Sequence, residues 1–194
     1  MKIAVIKYNA GNIRSVSFAL ERLAVDFVIT DNPEEIIEAD KVIFPGVGEA
    51  SSTMNYLRER KLDQVITALK QPVLGICLGM QLMCKHSDEN DTECLGIFEE
   101  TVKLFKPTPD MKVPHMGWNQ LTSINSWLDP TLENQNAYFV HSYYVPVNSH
   151  TSAKTEYVNS FSAAMKKNNF YAVQFHPEKS AETGEKVLVS FLKQ

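Results

Sequence analysis

The stretch Pro72-Val73-Leu74-Gly75-Ile76-Cys77-Leu78-Gly79-Met80-Gln81 decides the fold. An apolar run, Pro72–Ile76, reads as a buried strand and runs straight into Cys77. The residues after it, roughly 78–86, read as a helix. Gly75-x-Cys77-x-Gly79 is therefore a cysteine set on a strand-to-helix elbow, with small neighbours that relieve crowding around a sharp turn. Such an elbow exposes its side chain at the carboxyl edge of a sheet. The N-terminus of the following helix favours a negative group there, and the Leu78 N–H after the elbow is placed to help hold an oxyanion. The bland alternative is that Cys77 is a small buried core residue, as free cysteines commonly are.

The pattern repeats upstream. Lys2–Lys7, Val25–Thr30 and Lys41–Phe44 are strand-like runs. Between the first two, after a Gly11-Asn12 turn, Val16, Phe18, Ala19, Leu20 and Leu23 recur at helical spacing. Asp31-Asn32-Pro33-Glu34-Glu35 reads as a helix start, with a capping side chain, proline in the first turn and acids near the positive end. Residues 51–70 read as helix, interrupted near Arg60. Short strands separated by helices predict an α/β fold with a mostly parallel central sheet flanked by helices. The second half is β-rich, with strands near 101–105, 118–122, 137–141, 153–158, 161–166 and 170–175, and a hairpin turn at Asn168-Asn169. A last helix covers roughly 181–193, with Val187, Leu188, Phe191 and Leu192 on one face. No repeat, low-complexity tract or linker divides the 194 residues, so residues 1–194 read as one domain.

Composition narrows the function classes. A formal net charge of −4 and the lack of a dense Lys/Arg block argue against a nucleic-acid surface. No apolar run approaches the length of a membrane span, and the opening Met1–Tyr8 is too short and too soon charged for a signal peptide. Three cysteines, Cys77, Cys84 and Cys94, fit a reducing, cytoplasmic setting better than a disulfide framework. Cys84 and Cys94 lack the elbow setting and read as structural. Neither Cys-x-x-Cys nor a clustered histidine set suggests a metal, and no cofactor is called for.

A nucleophilic cysteine needs a base and a group to orient it. Gln174-Phe175-His176-Pro177-Glu178-Lys179-Ser180 offers both. Pro177 pushes His176 towards extended geometry, and residues at i and i+2 of an extended segment point to the same side. His176 and Glu178 can thus converge as base and orienting carboxylate; the alternative is a loop-exit histidine beside a solvated glutamate. Pro45-Gly46-Val47-Gly48 ends another predicted strand, where ligands bind in such sheets. Its glycines permit close backbone approach, although an ordinary Pro-Gly turn reads the same way.

Taken together, the sequence resembles the triad, or class I, glutamine amidotransferases, essentially end to end. The resemblance is carried by Gly11-Asn12-Ile13-Arg14-Ser15, Pro45-Gly46-Val47-Gly48, Gly75-Ile76-Cys77-Leu78-Gly79-Met80-Gln81, Pro114-His115-Met116-Gly117-Trp118-Asn119, Tyr138-Phe139-Val140-His141-Ser142-Tyr143 and Phe175-His176-Pro177-Glu178-Lys179-Ser180. It implies a flavodoxin-like fold and a glutaminase in which Cys77 attacks the side-chain amide of L-glutamine, His176 moves the proton and Glu178 orients it. It further implies that Gln81, Glu89, Ser142 and Tyr143 hold glutamine with Gly48 nearby, and that the Gly46-Val47 peptide reorients to complete the oxyanion hole with Leu78. Pro-Gly-Val-Gly and Pro-His-Met-Gly-Trp-Asn point within the family to subunits serving a separate (β/α)8-barrel cyclase, a heterodimer partner towards which Trp118 and the 8–15 loop would lie; a core or hairpin role for Trp118 reads nearly as well. Two segments depart from the family pattern: Lys7-Tyr8-Asn9-Ala10, where an Asp-Tyr-Gly-like entry is usual, and Glu49-Ala50, where an aromatic is. The nearest rival is a triad glutaminase serving another ammonia-using synthase; a cysteine hydrolase on a similar sheet and a non-enzymatic interaction module are the competing classes.

Overall fold

The computed structural model describes residues 1–8 and 12–194. The first half alternates as its periodicity predicts: β1 (Lys2–Ile6), α1 (Ile13–Arg22), β2 (Asp26–Thr30), α2 (Pro33–Glu38), β3 (Lys41–Phe44), α3 (Ala50–Glu59), α4 (Leu62–Ala68), β4 (Val73–Ile76) and α5 (Leu78–Leu82). There follow β5 (Cys84–Ser87), β6 (Thr92–Glu93), β7 (Phe98–Leu104), β8 (His115–Gln120), β9 (Asn136–His141), β10 (Tyr143–Tyr144), β11 (Thr151–Glu156), β12 (Ser160–Lys167), β13 (Phe170–Val173) and α6 (Ala181–Leu192). Gly11 of the expected Gly11-Asn12 turn, and Asn9 and Ala10 of the atypical entry segment, lie outside the described residues.

Local chemistry sets the boundaries. Asn32 accepts a hydrogen bond from the Glu34 N–H and caps α2, with Pro33 in its first turn. The helix expected over 51–70 breaks where Lys61 adopts a left-handed φ of 57°, giving α3 and α4. Asn168, with φ 54°, turns β12 into β13.

Seven strands form the main sheet in the order β11-β12-β13-β4-β3-β1-β2. The run from β13 to β2 is parallel throughout, and β12 and β11 extend it antiparallel. Because successive side chains leave opposite faces of a strand, each strand feeds two cores. Ile3, Val5, Ile43, Leu74 and Ile76 pack with Val16 and Leu20 of α1 and Val187 and Phe191 of α6. Ala4, Ile6, Val42, Phe44 and Val73 pack with Ile36, Leu57 and Ile66 of α2, α3 and α4. Burial on both faces explains why these strands read as continuous apolar runs rather than alternating ones. Two smaller sheets flank the main one, β10-β7-β5-β6 and the β8-β9 pair. Gly79 permits α5 to lie against the sheet: a methyl there would strike the Phe44 carbonyl.

Several expectations need correction. The helix expected over 78–86 stops at Leu82, because Cys84–Ser87 leaves to pair with β6 and β7. The strand expected near 118–122 begins at His115, whose ring is buried and serves as a core residue. That expected near 101–105 begins at Phe98. Phe18 is 47% exposed with the Arg14 guanidinium 5.4 Å from its ring centroid, since it projects from α1 away from the face that buries Val16, Ala19 and Leu20. Among the described residues, no helix is long and apolar enough to cross a membrane.

Candidate active site

Strand order brings the chemistry together. β4 lies between β3 and β13, all three parallel, so their carboxyl ends share one edge. From β4 comes Cys77, from β3 the Pro45–Gly48 turn, and from β13 the His176–Glu178 turn. Side chains that are remote in sequence become neighbours at that edge, where ligands bind in sheets of this type.

Cys77 holds φ 53° and ψ −107°. This is a strained conformation for a residue with a Cβ, of the kind that persists only where the surroundings enforce it. Its N–H is fixed by the Val173 carbonyl at 2.8 Å, and its carbonyl accepts from the Gln81 N–H at 3.2 Å. The sulfur lies 3.8 Å from the Val140 carbonyl oxygen and 3.7 Å from Nε2 of Gln174. The residue is 6% exposed.

His176 and Glu178 do converge: Nδ1 of the imidazole lies 2.8 Å from Oε1 of the carboxylate, both side chains being almost fully buried. Burial works to lower the His176 pKa, but hydrogen bonds to Cys77 and Glu178, with the attraction of their charges, raise it to about 10. The site therefore favours an imidazolium held between a sulfur and a carboxylate. The turn carrying these groups is pinned on three sides. The His176 N–H donates to the Tyr138 carbonyl at 2.9 Å, Ser180 Oγ donates to the His176 carbonyl at 2.7 Å, and the same hydroxyl accepts from the Tyr138 N–H at 2.9 Å. Gly184 of α6 packs so closely that a methyl would collide with the Pro177 carbonyl.

A cavity of about 280 Å³ opens on this edge, lined among others by Val47, Gly48, Cys77, Leu78, Gln81 and Glu89, and by Val140, His141, Ser142, Tyr143, His176 and Lys179. Every residue expected to bind glutamine is on this wall except Gly46, which lies just behind it. There the Gly46 carbonyl accepts the Leu78 N–H at 3.3 Å, so the donor expected to face an oxyanion is engaged by the backbone. Tyr8 donates its buried hydroxyl to the Pro45 carbonyl. Gln81 is not on a solvated helix face: its Nε2 donates to the Tyr143 carbonyl and to Oε1 of Gln174, each at 3.0 Å.

Two participants carried no assigned role in the sequence reading. The Asn12 side-chain amide donates to Oε1 of Glu178, and fully buried Gln174 links Gln81 to the Cys77 sulfur. The sequence signal for Gln174 was a polar residue directly after an apolar strand, and for Asn12 a polar residue directly before a helix. A third feature is a histidine pair. His141 Nδ1 lies 2.7 Å from the Tyr143 carbonyl, which can only accept, so that nitrogen carries the proton. Its Nε2 then accepts from His115 Nδ1 at 3.0 Å. Burial pushes His115 down to about 4 and His141 to about 3, the latter reinforced by the charges of His115 and His176 against the Tyr143 hydrogen bond. Among the described residues, no group of three or more His, Cys, Asp or Glu side chains is arranged to hold a metal.

A buried cysteine on a strained elbow, paired with a histidine and a carboxylate beside a small polar pocket, is the equipment of an acyl-transferring amidase. The chain belongs to the class-I glutamine amidotransferase family, which it matches over residues 4–194, and is an enzyme of that family. It is 59% identical over 194 residues to the imidazole glycerol phosphate synthase subunit HisH of Bacteroides thetaiotaomicron, covering 99% of each chain. It is 43% identical over 200 residues to the subunit HisH 1 of Vibrio vulnificus, covering 99% of this chain and 98% of that one. The fold is shared with a crystal structure of a glutamine amidotransferase at a TM-score of 0.76 and 16% identity, over 98% of this chain and 97% of that one.

Proposed function

We propose that this chain, acting as a single domain over residues 1–194, is the glutaminase subunit of an imidazole glycerol phosphate synthase. The observation that carries the reading is the full-length likeness to HisH subunits. The Cys77–His176–Glu178 arrangement supplies the chemistry that such a subunit needs. Cys77, as thiolate, attacks the side-chain amide carbon of L-glutamine. The oxygen takes up negative charge, and His176, held by Glu178, gives its proton to the leaving nitrogen. Ammonia departs and a γ-glutamyl thioester remains on Cys77. His176 then takes a proton from water, which attacks the thioester, and glutamate leaves as the thiolate re-forms. No cofactor enters the sequence.

The partner is a (β/α)8-barrel cyclase that consumes the ammonia, giving imidazole glycerol phosphate and an aminoimidazole carboxamide ribotide within histidine biosynthesis, in the cytoplasm. Trp118, 55% exposed on β8 near the still more open Met116, suits a docking face. The Leu78–Gly46 hydrogen bond supports weak activity in the isolated subunit. Turning the Gly46-Val47 peptide would release the Leu78 N–H and present that of Val47, completing the oxyanion hole on demand.

The test is glutamate release from glutamine, with and without the host's cyclase and its ribonucleotide ligand. Stimulation by the liganded cyclase, abolished in Cys77→Ala with the fold and complex intact, is the expected result. Activity indifferent to the cyclase would keep the glutaminase and discard the pathway.

A further inference from the structure

The acidic end of the pocket is held by a contact that the chemistry above does not use. Among the pocket's lining residues, Glu89 is the one carboxylate. It sits in a tight 3-10 turn, Glu89–Asp91, in which Asn90 and Asp91 both adopt left-handed φ, 53° and 48°. Consecutive residues of that kind are unfavourable for side chains with a Cβ, so the turn needs support. Its own stretch supplies part, with Thr92 Oγ1 donating to the Glu89 carbonyl at 2.6 Å, the Glu89 N–H donating to Ser87 Oγ at 3.2 Å and His86 Nε2 lying 2.9 Å from Asp91 Oδ1. The start of α3 adds two crossed hydrogen bonds that reach the Glu89 and Asn90 side chains. Glu89 Oε2 accepts from the Ala50 N–H at 2.8 Å. In the other direction, Glu49 Oε1 accepts from the Asn90 side-chain amide at 2.8 Å.

Glu49 is itself immobilised. Its carboxylate caps α3, accepting from the Ser51 N–H at 2.7 Å and the Ser52 N–H at 2.8 Å. Burial works to raise its pKa, but those bonds and Asn90 bring it down to about 2, so it is ionised at any working pH. Glu89 differs: burial raises its pKa, the Ala50 hydrogen bond opposes this, and the charge of Glu49 adds to the rise. Its Oε1 makes no protein hydrogen bond among the described residues. With the side-chain amide of glutamine at Cys77, the far end of the substrate carries an ammonium group, which an ionised Glu89 would complement and whose docking would offset the burial.

We propose that Glu49 is a positioning residue for substrate binding, acting through Asn90 to set Glu89 where it receives the α-ammonium group of glutamine. This rests on the glutaminase reading and deepens it.

The experiment uses the complex with the cyclase and its ribonucleotide, measuring KM and kcat for glutamine. In Glu49→Ser a hydroxyl still caps α3 but is too short to reach Asn90. In Asn90→Gly the backbone keeps its left-handed φ and loses the amide. Each variant is expected to raise KM about fivefold or more while kcat changes less than about twofold, and the double variant to do no more than either single one. The thermal midpoint of Glu49→Ser stays close to wild type. Unchanged KM in Glu49→Ser, with an active wild type, would overturn the clasp alone. So would a parallel fall in kcat and thermal midpoint, which marks a merely structural role. A wild-type complex that releases no glutamate would overturn the glutaminase reading itself, and the clasp with it.

Discussion

Cys77 occupies a backbone conformation that its own Cβ resists, with φ 53° and ψ −107°. Removing the thiol as Cys77→Ala keeps that penalty, whereas Cys77→Gly removes it. The glycine variant is therefore expected to be the more stable of two inactive proteins by about 1 kcal/mol, read from urea unfolding; a less stable glycine variant would mean that the elbow is not strained. His176 gives a second prediction. Its folded pKa of about 10 lies above the ordinary 6.5. Its contribution to stability is thus fully present below pH 6.5 and is lost as pH rises towards 10. Cys77→Ala removes both contributions of the sulfur to that rise, so the decline in stability between pH 7 and 10 becomes shallower. At this scale the sequence was informative where chemistry is written in adjacent residues, as in His176-Pro177-Glu178. It was silent where a role depends on pairing across the chain. Asn12, at the start of α1, and Gln174, after β13, acquire their partners only when distant parts of the chain meet.

Among the elements, β1, β3 and β4 were legible because each is buried on both faces and reads as a nearly unbroken apolar run. The short strands were not. β6 and β10 have two residues each, and their state is set by neighbours in space rather than by any local pattern. The end of α5 was missed for a related reason: Cys84–Ser87 is taken by β6 and β7. In β8 a histidine stands where a strand pattern asks for an apolar residue, which delayed its predicted start. That histidine also bears on stability. His115 and His141, at about 4 and 3, are held below the ordinary 6.5 chiefly by burial. They contribute stability that is complete above pH 6.5 and is lost as pH falls towards those values. His115→Phe keeps a ring but leaves His141 Nε2 without its donor, costing about 1–3 kcal/mol at neutral pH. The deficit should narrow at pH 5, because one neutral histidine has left the acid limb; a constant deficit would argue against the pair as an acid-sensitive joint.

For the molecule as a whole, the parallel order of β13, β4 and β3 explains why an ordinary apolar strand carries the proposed nucleophile while its two neighbours carry the His176–Glu178 and Pro45–Gly48 turns. The general architecture followed from the alternation of strands and helices. The attachment of two small sheets did not, since long-range pairing leaves little local trace. Gly184 tests the coupling between the helical layer and the reactive edge. Gly184→Ala pushes α6 against the Pro177 carbonyl, and overpacking of this kind costs about 1–3 kcal/mol. Because the displaced turn carries His176 and Glu178, glutamine hydrolysis should fall more than the folded fraction does. Activity tracking the folded fraction would show that the turn yields without moving the imidazole.

The sheet order also bears on when the protein becomes reactive. Cys77 leaves β4, and the imidazole proposed to serve it arrives with β13, which is made much later and must dock along the edge of β4. A nascent or partly unravelled chain can thus display the thiol elbow while lacking the proton carrier. On the proposed mechanism glutamine is spared until β13 has been made and docked, and catalytic competence itself reports that this strand has found its place.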